Sequence, residues 1–588
     1  MLLSALAAAA LAPASALAMV APRSDGALSP VLAELAKPAV RSKSPARQAA
    51  ILSVAAEGPG GLLRQGGRVL VEVRFPQGAA SSLASLREAG ARIVAISRRY
   101  QTITAAVLPA SLRALAGVAG VSAVGEIRSP LVAAVDCEGG SVISEGVTQL
   151  HAKAAREAFG VDGSGVTVGV LSDSFDQATT AETGATENEP IATHAANDIE
   201  TGDLPGPANT CLGQEGAVND VEDQATSADG EVFDEGRGML QIVHDVAPGA
   251  SLAFATAFKG EVSFAHNIEA LASAGAKVIV DDVSYFEEPF FQDGPVAAAV
   301  NKVTSEGVTY LSAAGNNNLT DPAGNEIASW EAPAYRDSGT CPAAVTALKG
   351  FNGTHCMDFD PGAGTDPGFG IEVEPKATLT VDLQWDEPWF GVETDLDAFL
   401  LASGGQLIAQ SYAENTGKGG SQKPSEIIQW KNESASPASV NLAINRYSGG
   451  ASPRLKFALL ENGAGVSETE YPQSNGGDVV GPTIYGHAGA ASAISVAAER
   501  YTNNTAPERF SSRGPVTHYF GPVAGITEAA ALNPPVTISK PDVTATDCGV
   551  TTFFAQLVAS VWRFCGTSAA APHAAGVAAL MTEAAEGA

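Results

Sequence analysis

From residue 68 to residue 127, apolar and polar positions alternate in short runs divided by two stretches of helical spacing. Residues 69–75, 91–96, 102–108 and 121–124 show the period of two expected of half-buried strands. Residues 80–89 and 109–119 space their apolar positions as one face of a helix does. The succession strand, helix, strand, strand, helix, strand predicts a compact α+β unit of split βαβ type.

The style changes at residue 165. Apolar strand-like runs at 166–171, 251–257, 277–280 and 308–313 alternate with helical stretches at 236–245, 265–274 and 296–305. That alternation predicts an α/β domain, a largely parallel sheet covered by helices, with reactive residues beyond the carboxyl ends of the strands. Between residues 330 and 476 the pattern breaks into short alternating runs at 377–385, 396–401, 426–430, 440–444 and 455–460, separated by Gly, Pro and Asp turns. Such spacing predicts an antiparallel β-sandwich. The α/β pattern returns at 491–498, so the sandwich reads as an insertion. The expected organisation is a signal at 1–18, an α+β unit at 19–135, an α/β domain at 136–345 and 466–588, and the inserted sandwich at 346–465.

Composition narrows the class. Of 588 residues 45% are hydrophobic and 17% charged, which is globular, and the net charge of −31 argues against nucleic acid and anionic membrane as partners. Residues 1–18 are Ala- and Leu-rich and end in Ala16-Leu17-Ala18, resembling an export signal that lacks the usual preceding Lys or Arg. Pro13 and the short length argue against a membrane span there, and no later segment is long and apolar enough. The six cysteines suit an exported chain, with Cys341–Cys356 and Cys548–Cys565 as local bridges and Cys137–Cys211 left over. No CxxC or HExxH occurs, so a zinc site is not expected.

The candidate chemistry begins at Gly566-Thr567-Ser568, which opens a small-residue helix. Unpaired N–H groups and the positive dipole end at a helix N-terminus suit a nucleophilic hydroxyl and a developing oxyanion. Pro572 is expected in the first turn, where no N–H donor is needed. Four further segments occur in order: 168–174 ending Asp173-Ser174, 312–316 ending Asn316, 510–515, and 540–545. Together with the serine segment they resemble the subtilase (subtilisin-like) family of serine peptidases. The resemblance implies a three-layer subtilisin-like fold. It also implies Ser568 as nucleophile, Asp173 as triad acid, Asn316 as oxyanion donor, and Ser284, Tyr285, Ala313 and Gly315 along the substrate edge.

The family's histidine is missing. Its segment matches residues 235–248, through Gly236 and Val246-Ala247-Pro248, and Glu235 stands where the base should be. His244 lies nine residues along the helix, roughly 13 Å away at the helical rise, too far to replace it. The resemblance implies a packing role for His573, while His487 and His518 stay open as substitutes. Sedolisins, relatives of the subtilases, use a Ser-Glu-Asp arrangement, and this chain differs from them in keeping Asp173 and Asn316. A glutamate base needs its proton affinity raised by burial or a like charge. Asp282 follows the strand at 277–280 and is the expected second carboxyl, sharing one proton with Glu235; an ordinary acidic pair at a strand end is the alternative.

These readings give a secreted serine endopeptidase acting on protein or peptide substrates, with no cofactor required and its N-terminal segment as intramolecular inhibitor or folding aid. The alternative is an inactive peptide-binding pseudoprotease. A third reading makes the sandwich the working part, with Trp385, Trp389 and Trp430 forming a binding face. The sandwich resembles domains attached to secreted bacterial peptidases, and Asp395 and Asp397 are its candidates for structural calcium. Subtilases usually continue beyond the nucleophile helix, whereas this sequence ends at Ala588, which implies a different closure of the domain or a piece of a longer chain.

Overall fold

The computed structural model describes residues 26–55, 61–75, 83–128, 140–181, 190–211, 213–224, 232–348, 353–417, 419–460 and 465–587. The expected signal at 1–18 and Cys137 lie outside them. The chain divides into two units, 1–134 and 135–588.

In the first unit the strands Arg68–Arg74, Arg92–Ser97, Thr102–Val107 and Ala123–Glu126 form one antiparallel sheet. Arg68–Arg74 is central, flanked by Thr102–Val107 on one edge and Ala123–Glu126 on the other. Alternation buries Val69, Val71 and Val73 against Leu86, Leu112 and Leu115 of the connecting helices. Three short helices, Pro30–Leu35, Pro38–Arg41 and Pro45–Leu52, precede the sheet. The first and third are capped by Ser29 and Ser44 and begin with proline, an N-terminal signal the strand pattern did not reveal.

The second unit is built on seven parallel strands: β1 Thr167–Ser172, β2 Asn219–Glu222, β3 Ser251–Thr256, β4 Val278–Asp281, β5 Thr309–Ala313, β6 Ile494–Arg500 and β7 Val543–Asp547. Their order is β7-β6-β5-β4-β1-β3-β2. Helices α1 Glu235–Val246 and α4 Thr567–Gly587 cover one face; α2 Glu261–Ser273 and α3 Pro295–Ser305 cover the other. Both faces are buried, so Val168 and Val170 pack under α1 and α4, while Leu171 packs with Leu271 of α2. β2 escaped the sequence pattern because its residues are mostly polar and exposed. Pro572 lies inside α4, at its sixth residue and past the first turn. The carbonyl of Ser568 therefore lacks the usual N–H four residues on.

Residues 329–480 add two five-stranded antiparallel sheets. One contains Thr378–Trp385, Ser425–Lys431 and Leu455–Leu459; the other contains Phe369–Val373, Asp395–Ala402, Leu407–Ser411 and Ala438–Ser448. They share a core of Trp330, Phe369, Trp385, Phe457 and aliphatic residues. The range 346–465 is too narrow, because Ser329–Ala332 and Val466–Thr469 also pair into these sheets. The proposed tryptophan face is not there: Trp385 is fully buried, Trp389 is 5% exposed and Trp430 packs on the core. Apolar area, the strongest driving force available, takes all three inward.

Disulfides Cys341–Cys356 and Cys548–Cys565 join the pairs expected from spacing. Cys211 is also disulfide-bonded.

α4 approaches α1 closely because it carries small residues. A Cβ on Gly576 would stand 2.6 Å from Val246 Cβ. Gly576→Ala is therefore expected to cost about 1–3 kcal/mol through overpacking, read as a lower urea midpoint with an unchanged slope.

Candidate active site

The site lies where sequence and topology agree, beyond the carboxyl ends of β1, β4 and β5 and at the N-termini of α1 and α4. An open cleft of about 480 Å³ is lined by Glu235, Asp282, Ser284, Asn316 and Ser568. Phe258, Val283, Phe554, Ala555, Gln556, Phe564 and Cys565 complete its wall.

Ser568 is the second residue of α4 and half-buried. Asn316, on the loop after β5, is oriented by the residue before the serine. Its Oδ1 accepts bonds from Thr567 N at 2.9 Å and Thr567 Oγ1 at 3.0 Å. The amide nitrogen must therefore face the other way, free to donate. Gly566 makes this approach feasible: its φ is +109° and an added Cβ would lie 3.1 Å from Asn316 Nδ2. Thr567 was missed as a positioning residue, although it stands inside the quoted motif.

Asp173 follows β1 and is 2% exposed. It accepts N–H bonds from Ser174 at 2.5 Å, Phe233 at 2.6 Å and Gly236 at 3.3 Å. Two of those donors flank Glu235, so Asp173 fixes the start of α1, where a carboxylate is favoured by the orphan amides. Burial pushes its pKa up to about 6 against these bonds, and Asp234 adds to the rise. Arg237, in the same turn, is fully buried between Asp198 at 2.5 Å and Asp234 at 3.2 Å, with its guanidinium 3.5 Å from the Phe553 ring centre.

Glu235 and Asp282 meet through their carboxyl groups. Asp282 is half-buried as a residue, yet both its carboxyl oxygens are buried and have no donor in hydrogen-bonding geometry. Two ionised carboxylates offer no donor to each other, so this pair bonds only when it holds a proton. Burial pushes Asp282 up to about 7, opposed by contact with Glu235 and the nearby Ser172 hydroxyl and assisted by the charges of Asp173 and Asp281. Ser172, at the end of β1, had no signal in the sequence beyond its position before the acid.

Other expected residues lie elsewhere. Tyr285 turns away from the cleft: its hydroxyl donates to the Ala257 carbonyl and accepts from Gly260 N, both at 2.7 Å. Ala313 is buried in the sheet core, and Gly315 N donates to Thr567 Oγ1 at 3.2 Å; neither lines the cleft. Among the described residues no histidine lines it either. His487 is buried between Asp281 at 3.0 Å and Glu288 at 2.9 Å. Burial alone would lower its pKa, but those carboxylates raise it well above the usual value. His573 is bound by Ser144 Oγ at 2.6 Å and the Ala569 carbonyl at 2.7 Å, and burial lowers it to about 4. His244 is buried and lowered to about 4 for the same reason. His518 sits 3.6 Å from Asp293.

Residues 406–588 match the subtilase family. The match to that family includes Ser568 and excludes Asp173, Glu235, Asp282 and Asn316. No curated protein is similar enough to match. Among solved structures, the CspB protease of Clostridium perfringens is 13% identical over 73% of this chain and 86% of that one, with a TM-score of 0.38. The epidermin leader peptide processing serine protease of Staphylococcus aureus, in a mutant form, is 11% identical over 88% and 89%, at 0.27. Fervidolysin from Fervidobacterium pennivorans, a keratinolytic enzyme related to subtilisin, is 12% identical over 63% and 70%, at 0.15. Superpositions this loose carry no argument. No helix among the described residues is long and apolar enough to cross a membrane.

The raised carboxyls have a consequence for stability. A group that binds its proton more tightly when folded stabilises the fold fully below its unfolded pKa, near 4, and loses that contribution as pH rises through its folded value. For Asp282 the window runs from about 4 to about 7. The thermal midpoint is expected to fall across that window, and to fall less in Asp282→Asn. An equal fall in both proteins would mean that another group is titrating.

Proposed function

We propose that the chain is a serine endopeptidase whose general base is the Glu235 carboxylate, held by a second carboxyl, Asp282. The observation that carries the reading is the convergence of Ser568, Asn316, Glu235 and Asp282 on one cleft. The subtilase match over 406–588 supports the reaction class. Export fits the Ala/Leu-rich N-terminus and the disulfides, and the N-terminal α+β unit serves as inhibitor or folding aid.

In the working state the pair holds one proton, on Asp282, and Glu235 is ionised. Ser568 Oγ attacks the scissile carbonyl while its proton passes to Glu235. The resulting oxyanion receives Asn316 Nδ2 and the Ser568 N–H at the positive end of α4. Collapse breaks the C–N bond, and Glu235 returns the proton to the leaving amine, which departs and leaves an acyl-enzyme. Water repeats the cycle: Glu235 takes its proton, and the serine oxygen regains one as the acid leaves. Below the first macroscopic pKa Glu235 is protonated and cannot accept. Above about 7 the second proton leaves, and two negative charges face the developing oxyanion. Activity is thus confined to the acid side of neutrality.

The lack of a histidine in the cleft favours the pseudoprotease reading, and one experiment separates the two. A serine-directed phosphonate probe is expected to label Ser568 most strongly below pH 7 within a pH 3–8 series, with no labelling of Ser568→Ala. Absence of labelling at every pH sinks the enzymatic reading, and a flat or alkaline profile sinks the carboxylate base. Asn316→Ala is expected to lower kcat about 10²–10³-fold with little change in KM. Glu235→Gln is expected to lower it about 10²–10⁴-fold, measured on a peptide substrate near pH 5.

A further inference from the structure

The second cluster of buried carboxyls lies at one edge of the sandwich, remote in sequence from the serine. Asp395 and Asp397 are two residues apart on the strand Asp395–Ala402 and so share a face. Glu426 comes from Ser425–Lys431 in the opposite sheet. Asn415 belongs to the connection 412–424, with its N–H 3.4 Å from Asp395 Oδ1 and its side chain against Glu426. The three acids are each 2% exposed and Asn415 is fully buried.

Burying carboxylates costs several kcal/mol apiece unless a counter-charge or donors offset it. Here the charges acting on the three acids are their own and that of Glu414. Glu426 accepts from Ser411 Oγ and, at 2.8 Å, from Ala413 N. Asp397 Oδ2 and Asn415 Oδ1 have no donor. The Asn415 amide nitrogen is committed to Ser421 Oγ and the carbonyls of Lys423 and Ser425, which turns its oxygen away from those partners. Buried acceptors without donors, drawn from two sheets and a loop, are what a cation would complete.

We propose that Asp395, Asp397, Glu426 and the Asn415 amide oxygen bind one calcium ion that clamps the two sheets together and orders the backbone around Asn415. The donors are all hard oxygens, with no imidazole or thiolate, which suits calcium over zinc or copper. Three carboxylates and an amide leave room for the two to four further oxygens calcium takes, and their flexible placement disfavours the strict octahedron of magnesium. The ligand atoms of the three acids do not all lie within 4.8 Å of one another, so binding an ion draws their side chains together. The same connection carries Lys423, which meets Glu261 of α2 at 3.2 Å and stands 4.1 Å from the Trp389 ring centre. Calcium thereby fixes a contact between the sandwich and the parallel-sheet layers.

The test uses the full chain after chelator treatment and dialysis. One calcium per chain is expected by equilibrium dialysis, with a thermal midpoint several degrees higher in millimolar CaCl₂ than in EDTA and little change with MgCl₂. Asp397→Asn and Glu426→Gln, which keep the shape but remove charge, are expected to lose both the bound ion and the shift. Their midpoints in EDTA should equal or exceed the parent's. Absence of calcium binding by the parent chain overturns the proposal. So does an undiminished shift in both variants, which would place the ion elsewhere. The readouts are binding and stability, so they are independent of whether Ser568 is a nucleophile.

Discussion

Asp173 accepts backbone N–H groups from both sides of Glu235, and the geometry of the site depends on that bond set. A buried carboxylate is tolerated at the end of β1 because the first turn of α1 supplies the donors it needs. In return the turn is fixed in space, and its first residue is delivered to the cleft. Arg237, buried between Asp198 and Asp234, secures the same turn from its other side. A substitution at position 235 therefore changes the chemistry offered to Ser568 without changing where that chemistry is presented. This is how a carboxylate can stand at the head of a helix that the subtilase resemblance assigns to an imidazole.

The sequence revealed the layers and the serine that lines the cleft because each leaves a local trace. Seven strand and helix segments of the parallel sheet follow apolar runs, and the small residues of α4 follow from its close approach to α1 at Gly576. The edge strand β2 left no trace, since its mostly polar, exposed residues carry no burial pattern. Ser329–Ala332 was missed in the sandwich because a four-residue strand between loops has no period to read. Site residues divide similarly. Asp173, Glu235, Asn316 and Ser568 stand in ordered motifs, whereas Thr567 and Ser172 act through contacts that only folding creates. Tyr285 was placed on the substrate edge by analogy, and its ring instead fills the space beside Phe264.

The protonation state of the cleft follows from charges that surround it without touching substrate. Burial raises Asp282 most, and the charges of Asp173 and Asp281 add to it. Asp281 is itself tied to a cationic His487, so part of its field is offset where it is fixed. His244 and His573 are buried in the core with lowered pKa values, and His487 is committed to carboxylates. Among the described residues none of these lines the cleft, whose titratable lining is Glu235 and Asp282.

The same buried charges connect the sandwich to the cleft. Gln384, on the inner strand Thr378–Trp385 of one sandwich sheet, accepts from Phe290 N at 2.9 Å and donates to the Glu288 carbonyl at 3.0 Å. The Glu288 carboxylate accepts from both the backbone N–H and the Nδ1 of His487. His487 Nε2 in turn bonds Asp281, the residue preceding Asp282. Removing the sandwich strand would leave the 286–290 segment without its backbone partners, and the Asp281 carboxylate with a less constrained counter-charge. The sandwich sheets thus hold the charged knot behind β4, whose Asp281 adds to the rise that burial imposes on Asp282.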